Sequence, residues 1–407
     1  MSAMRRREFC AGAVTTAVCQ MIPSLAIGEA VSSLTAVELF AGIGGFRLAC
    51  DKIGIKTVWA NDINENAVKV YKDRFGVDAI EQGDINDLIE KIPAHDILTG
   101  GFPCQPFSRA GKKMGIEDYR GTLFESIVKV LRLRAPKYFL LENVNSLLFL
   151  NKGSHFKTIL FALAELGYKI EWRVFNAAAF GLPQHRLRVI IAGRKASDPT
   201  DSIFVGKDEW GSLSEKDKEK AAQFSRWNEI QSAGGKFFQW GMAYNGRFIS
   251  YDFPPQRNIV KERILQDILQ KEVPDEFDFT DDTMERIKKS LFVNKFYNGV
   301  RILYNQGGGA RMGYTIFGTD GLSPTLTASS SRHYERYGIN GKFRRLTNVE
   351  YARLQGFPDD HCSAVSVYEQ YRLYGNAVPP PMVAYALKKL INGDSFRFES
   401  NELPLFK

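Results

Sequence analysis

What most constrains the fold of this chain is a regular exchange of short apolar runs and amphipathic stretches that begins at Thr35. TAVELF precedes FRLACDKIG, KTVWAND precedes NAVKVYKDRFG, HDILTGG precedes TLFESIVKVLRLR, and KYFLLENV precedes FKTILFALAELG. Each pair reads as a strand followed by a helix, and strands joined by crossover helices run parallel. Two more strand-like runs follow, YKIEWRVFNAA and LRVIIAG. The expected class is α/β with a mostly parallel sheet, and a ligand is expected at the carboxyl ends of its strands.

After Gly193 the exchange stops. Residues 194–343 are rich in aromatic residues, Gly, Lys and Asp, with turn signals such as YNGR and GTDG, and read as a second, smaller, irregular domain. NVEYARLQGF and YGNAVPPPMVAYALKKL restore a helical period, so residues 344–407 are expected to return to the first domain, residues 35–193. Residues 1–34 are an extension in which arginines precede a small-residue apolar stretch, the outline of a twin-arginine export signal. The part from Cys10 to Ala26 is too short and too polar for a membrane span.

The 407 residues, 44% hydrophobic and 25% charged, suffice for a full core. A formal charge of +8 permits a polyanionic partner without requiring one. Cys10, Cys19, Cys50, Cys104 and Cys362 form no CxxC pair, which argues against a zinc site and a disulfide framework, and no metal is assigned. Reduced thiols suit a cytoplasm.

Several segments carry chemistry. In FAGIGGFR, Gly42, Gly44 and Gly45 let the backbone turn tightly between a strand and a helix, where nucleotide-like cofactors bind. The FxGxGG spacing lacks the final glycine of the dinucleotide fingerprint, which disfavours NAD. Asp62 and Asp84 end the next two strand-like runs, places suited to ribose hydroxyls and an adenine amine, and each also suits a helix N-cap. Cys104, in GGFPCQPFSRAGKK, follows a strand in a proline-flanked loop ahead of two lysines that would favour a thiolate. Glu142, with Asn143, ends the fourth apolar run and is expected at the same sheet edge. A thiolate beside a carboxylate that shares a proton is what conjugate addition to a pyrimidine requires. Arg186 and Arg188, in QHRLR, share a strand face, where they could meet a carbonyl oxygen or a phosphate. His185, on the other face, is given no catalytic role.

Together these segments resemble a bacterial-type DNA (cytosine-5)-methyltransferase. The resemblance runs from Thr35 to about Lys389 and rests on FAGIGGFR, FPCQPFS, RGTLF, ENV, QHRLR, RRLTNVEYARLQGFP and YGNAVPPPM in family order. It implies a Rossmann-like S-adenosylmethionine-dependent methyltransferase fold, with residues 194–343 as target recognition domain. It implies that Cys104 attacks C6 of a flipped-out cytosine, that Glu142 meets N3, and that Arg188 with Arg186 holds the base oxygen or a phosphate. S-adenosylmethionine would be held by Phe40, Gly42, Gly44, Asp62, Ile63, Asp84, Ile85, Leu123, Asn376 and Val378. Gln105, Ser108, Arg109, Asn143, Thr325 and Leu326 would meet the DNA substrate. Ile63 stands where some members have an aromatic residue against the adenine.

The resemblance further implies a cytoplasmic monomer acting on double-stranded DNA, no membrane role, and a cognate restriction endonuclease as functional rather than physical partner. A transfer RNA methyltransferase of the same family is disfavoured because the variable region lacks a CFT tripeptide. A catalytically silent DNA-binding protein would have lost Cys104, Glu142 or an arginine, and all are present.

Overall fold

A computed structural model describes residues 33–103, 123–195, 201–222, 224–226, 237–253, 256, 259–305, 315–328, 335–339 and 341–392. The strands of the first half are β1 (Thr35–Leu39), β2 (Lys56–Asp62), β3 (Glu81–Gln82), β4 (Ile97–Gly101), β5 (Tyr138–Val144), β6 (Lys169–Asn176) and β7 (Leu187–Arg194). Between and after them stand α1 (Gly45–Lys52), α2 (Glu65–Phe75), α3 (Ile85–Leu88), α4 (Leu123–Arg134) and α5 (Ser154–Ala164). Each run of the sequence-level exchange has become the expected strand or helix, and the strand-like run before Asp84 is β3; the short α3 is the addition.

These strands lie in the order β3-β2-β1-β4-β5-β7-β6 within one sheet. The pairs from β3 to β5 are parallel, and β5-β7 and β7-β6 are antiparallel. Side-chain alternation divides the core between the two faces. Val37, Phe139, Leu141, Val189 and Ile191 join α4 and α5 in one cluster. Ala36, Leu140, Ile190 and Ala192 face the other way, toward α1 and the C-terminal helix.

The large sheet does not end with β7. Residues 194–343 also contain α6 (Lys207–Gly211), α7 (Glu215–Ala222), β8 (Phe224–Arg226), β9 (Trp240–Tyr244) and β10 (Arg247–Tyr251). β9 pairs antiparallel with β6, and β10 and β8 follow it, giving ten strands. This divides the stretch expected to form one separate domain. The cause is a buried carboxylate on β6: Glu171 accepts bonds from the Trp240 indole at 2.8 Å, the Ser202 hydroxyl at 2.7 Å and the Phe204 amide at 2.9 Å. An unmet buried carboxylate would be costly, so Glu171 fixes both segments against β6.

The remaining strands, β11 (Leu291–Tyr297), β12 (Val300–Asn305), β13 (Thr315–Phe317), β14 (Arg336–Ile339) and β15 (Lys342–Arg344), form a second sheet in chain order, with α8 (Asp281–Lys288) just before it. The chain then returns through α9 (Asn348–Gln355), α10 (Val367–Asn376) and α11 (Pro380–Asn392). Thr347 and Glu350 form a capping box that starts α9. Met382, Val383, Leu387 and Leu390 of α11 complete the α1 face, as the restored helical period leads one to expect.

Candidate active site

At the carboxyl ends of β1, β2, β4 and β5 lies a cavity of about 540 Å³. Of the residues expected to hold a cofactor, Phe40, Gly42, Asp62, Ile63, Asp84, Ile85, Leu123, Asn376 and Val378 line it, as do Glu142, Asn143 and Arg188. Gly44 does not line it. Its φ is +83°, and an added Cβ would stand 2.4 Å from the Phe75 ring, so this glycine serves the packing of α1 on α2. Gly42, by contrast, has a φ of +56° with nothing within 4 Å of an added Cβ, and it bares backbone to the cavity.

Asp62 fixes that turn. One carboxylate oxygen accepts the Gly42 amide at 2.7 Å and the other the Asn64 amide at 2.8 Å. Burial pushes the Asp62 carboxyl up from its ordinary range, and the amide bonds oppose the rise. Asp84 caps α3 through Oδ1, which takes the Asn86 amide at 2.9 Å. Asp62 is thus an anchor of the glycine turn and Asp84 a helix cap, and both line the cavity. Ile63 is 69% exposed on the cavity wall, an apolar side chain left uncovered by the protein itself.

Glu142 is buried on β5 and pairs with Arg188, Nε to Oε1 at 2.8 Å. Gly101, its register partner on β4, leaves room: an added Cβ would lie 3.2 Å from Glu142 Oε2. Burial raises the Glu142 carboxyl above its ordinary range, with Arg188 and Arg186 acting against it. Asn143 donates from Nδ2 to the Phe102 carbonyl at 2.8 Å, fixing the backbone just ahead of Pro103, which also lines the cavity. Cys104, Gln105, Ser108 and Arg109 lie outside the described residues.

Arg186 departs from its expected role. Its guanidinium donates to the Leu326 carbonyl and to those of Gly375 and Ala377, each at 2.9 Å, and it lines neither cavity. It is a strut between β7, the Thr325-Leu326 segment and the end of α10. Shared strand spacing holds for both arginines, but the surroundings differ. Arg188 has a carboxylate to meet, and Arg186 has three peptide carbonyls.

A second cavity, of about 430 Å³, shares Val144, Arg188, Gly375 and Asn376 with the first and is lined by His185, Thr325 and Leu326. Thr325 donates its hydroxyl to the His185 carbonyl at 2.6 Å. Gln184, fully buried, accepts the Leu326 amide at 3.0 Å and donates to the Leu354 carbonyl at 3.2 Å. Sequence reasoning passed over Gln184; its one signal is a polar side chain between Pro183 and a strand.

The donor set fits an adenosine-containing methyl donor: a bared glycine turn, two carboxylates at successive strand ends and an uncovered apolar wall. Among the described residues no group of three His, Cys, Asp or Glu could hold a metal, and no helix is long and apolar enough to cross a membrane. The model of the C-5 cytosine-specific DNA methylase family matches residues 34–392.

The chain belongs to this family.

As a C-5 cytosine-specific DNA methylase it uses S-adenosylmethionine as methyl donor. It is 33% identical over 363 residues to the Type II methyltransferase M1.ScrFI of Lactococcus lactis subsp. cremoris, spanning 87% of this chain and 77% of that one. It is 32% identical over 359 residues to M.HaeII of Haemophilus aegyptius, spanning 88% and 92%. Among solved structures, S. pombe Dnmt2 methyltransferase shares the fold, with a TM-score of 0.58, 21% identity and coverage of 88% and 98%.

Proposed function

We propose that this protein methylates C5 of a flipped-out cytosine in a specific duplex sequence, as the modification enzyme of a restriction-modification pair. The observation that carries the reading is the buried Glu142–Arg188 pair on the wall of the cofactor cavity, beside the backbone that leads to Cys104.

Cys104 forms a bond from sulfur to C6, and the C5–C6 electron pair is driven toward N3 and O2. That charge is neutralised by Glu142 at N3, for which a carboxyl raised by burial is suited because it retains a proton closer to neutrality. Arg188 fixes the orientation of Glu142 and presents further N–H groups for the base oxygen. S-adenosylmethionine, when bound, supplies a methyl group on a sulfonium. After C5 takes the methyl, loss of the C5 proton expels the Cys104 thiolate and restores the aromatic ring. A base stacked in the duplex hides C6, so flipping precedes attack at a cost of about a few kcal/mol.

The second sheet and its flanks, residues 259–344, read the DNA sequence, with Thr325 and Leu326 reaching the second cavity next to the flipped base. The Type II names of the relatives support a restriction-modification setting with a cognate endonuclease as functional partner, and a cytoplasmic monomer suits that task.

The test is to incubate the protein with tritiated S-adenosylmethionine and unmethylated genomic DNA, then sequence after bisulfite treatment. Protected cytosines within one recurring short sequence are expected. Incorporation into transfer RNA alone, or into no nucleic acid, overturns the proposal.

A further inference from the structure

S-adenosylmethionine carries a sulfonium, an ammonium and one carboxylate. The sulfonium and ammonium suit a cavity lined by Asp62, Asp84 and Glu142, whereas the carboxylate is repelled by those acids and is favoured beside a cation. Among the described lining residues two cations are present, Arg188 and Arg372. Arg188 is held on Glu142 at 2.8 Å. Arg372 is bound to a single oxygen of Glu369, at 2.9 Å through Nε and 2.7 Å through Nη2, on the half-exposed side of α10.

The position of α10 adds a second reason. Arg372 and Asn376 are four residues apart on this helix, hence on one face, and both line the cavity. The segment that contains them is tied to the glycine turn: His361 shares a hydrogen bond with the Ile43 carbonyl at 2.7 Å, and an added Cβ on Gly45 would meet the Val378 carbonyl at 2.5 Å. That joins the segment around α10 to the turn after β1.

We infer that Arg372 binds the α-carboxylate of S-adenosylmethionine and so selects ligands that keep the amino-acid part. This rests on the assignment of the cavity to the methyl donor. Calorimetry with S-adenosylhomocysteine and with 5′-methylthioadenosine, which lacks the amino-acid part, tests it on the whole protein. Arg372→Ala should weaken S-adenosylhomocysteine about tenfold, the scale of one charge-assisted hydrogen bond at a partly exposed site. Arg372→Lys should recover most of that loss, and methylthioadenosine should bind all three proteins alike. Unchanged S-adenosylhomocysteine affinity in Arg372→Ala overturns the inference, and so does an equal loss for both ligands, which would mark a merely structural role. If wild-type protein itself fails to bind S-adenosylhomocysteine, the cavity assignment falls first.

Discussion

The parallel half of the large sheet turns its strand ends inward on a cavity, whereas the second sheet leaves an apolar edge open. On the cavity side the buried Glu142 is met by Arg188, and on β1 one oxygen of the buried Glu38 accepts the Tyr71 hydroxyl at 2.9 Å. On β11, Leu291, Phe292, Phe296 and Tyr297 are all more than half exposed, and among the described residues the strand pairs on one side only, with β12. The first arrangement suits one small molecule held in fixed geometry, the second a broad partner that covers surface. Substitutions on the cavity side should therefore change chemistry or folding, and those on β11 neither.

The largest effect is expected at Glu142. Glu142→Gln keeps the shape of the side chain but removes the titrating proton, and methyl transfer should slow by about 10²–10⁴-fold. Binding of S-adenosylhomocysteine, measured by calorimetry, should persist. A rate within threefold of wild type would remove Glu142 from the chemistry and leave it as the partner of Arg188.

Arg186→Ala comes next, through folding instead of chemistry. Three carbonyls lose their donor in a buried place, which should lower the unfolding free energy in urea by roughly 2–5 kcal/mol. Loss of activity without loss of stability would instead return Arg186 to the substrate. This pair of arginines shows how far the sequence could be read. The FAGIGG turn, Asp62, Asp84 and Glu142 were legible because strand-helix alternation fixes which end of each strand faces a ligand. The fate of Arg186 was not, because it depends on β7 lying next to β5, with Val144 opposite Arg188, and on carbonyls supplied from 140 and about 190 residues away. The added strands β9 and β10 were missed for a similar reason. Their YNGR turn announces a hairpin, but it does not say which sheet the hairpin joins; Glu171 on β6 decides that.

A third effect depends on pH. Burial raises the Glu38 carboxyl to about 8, with the Tyr71 hydrogen bond opposing it. The folded state therefore holds a proton that the unfolded state releases near 4.5. Stability from this group is greatest below that pH, falls as pH rises toward about 8, and is level beyond it. The decline should be on the order of a few kcal/mol, and Glu38→Gln should flatten it in urea titrations run from acid to mildly alkaline pH. A slope that survives the substitution would locate the titration elsewhere.

The smallest effect on folding is expected on the open edge. Tyr297, 67% exposed, stands just before the Asn298-Gly299 turn, where both residues have positive φ, as a tight two-residue hairpin requires. Tyr297→Ser and Leu291→Ser remove apolar surface that the protein does not cover, so the unfolding free energy should stay within about 0.5 kcal/mol of wild type. S-adenosylhomocysteine should bind both variants normally. If the edge faces DNA, affinity for the methylated sequence should drop while these two measurements hold, because a ring at a nucleic-acid surface contributes stacking or groove contact only in the complex. A loss of stability above 1 kcal/mol would mean that β11 is covered by the protein's own chain after all, and the contrast between the two sheets would reduce to one of composition.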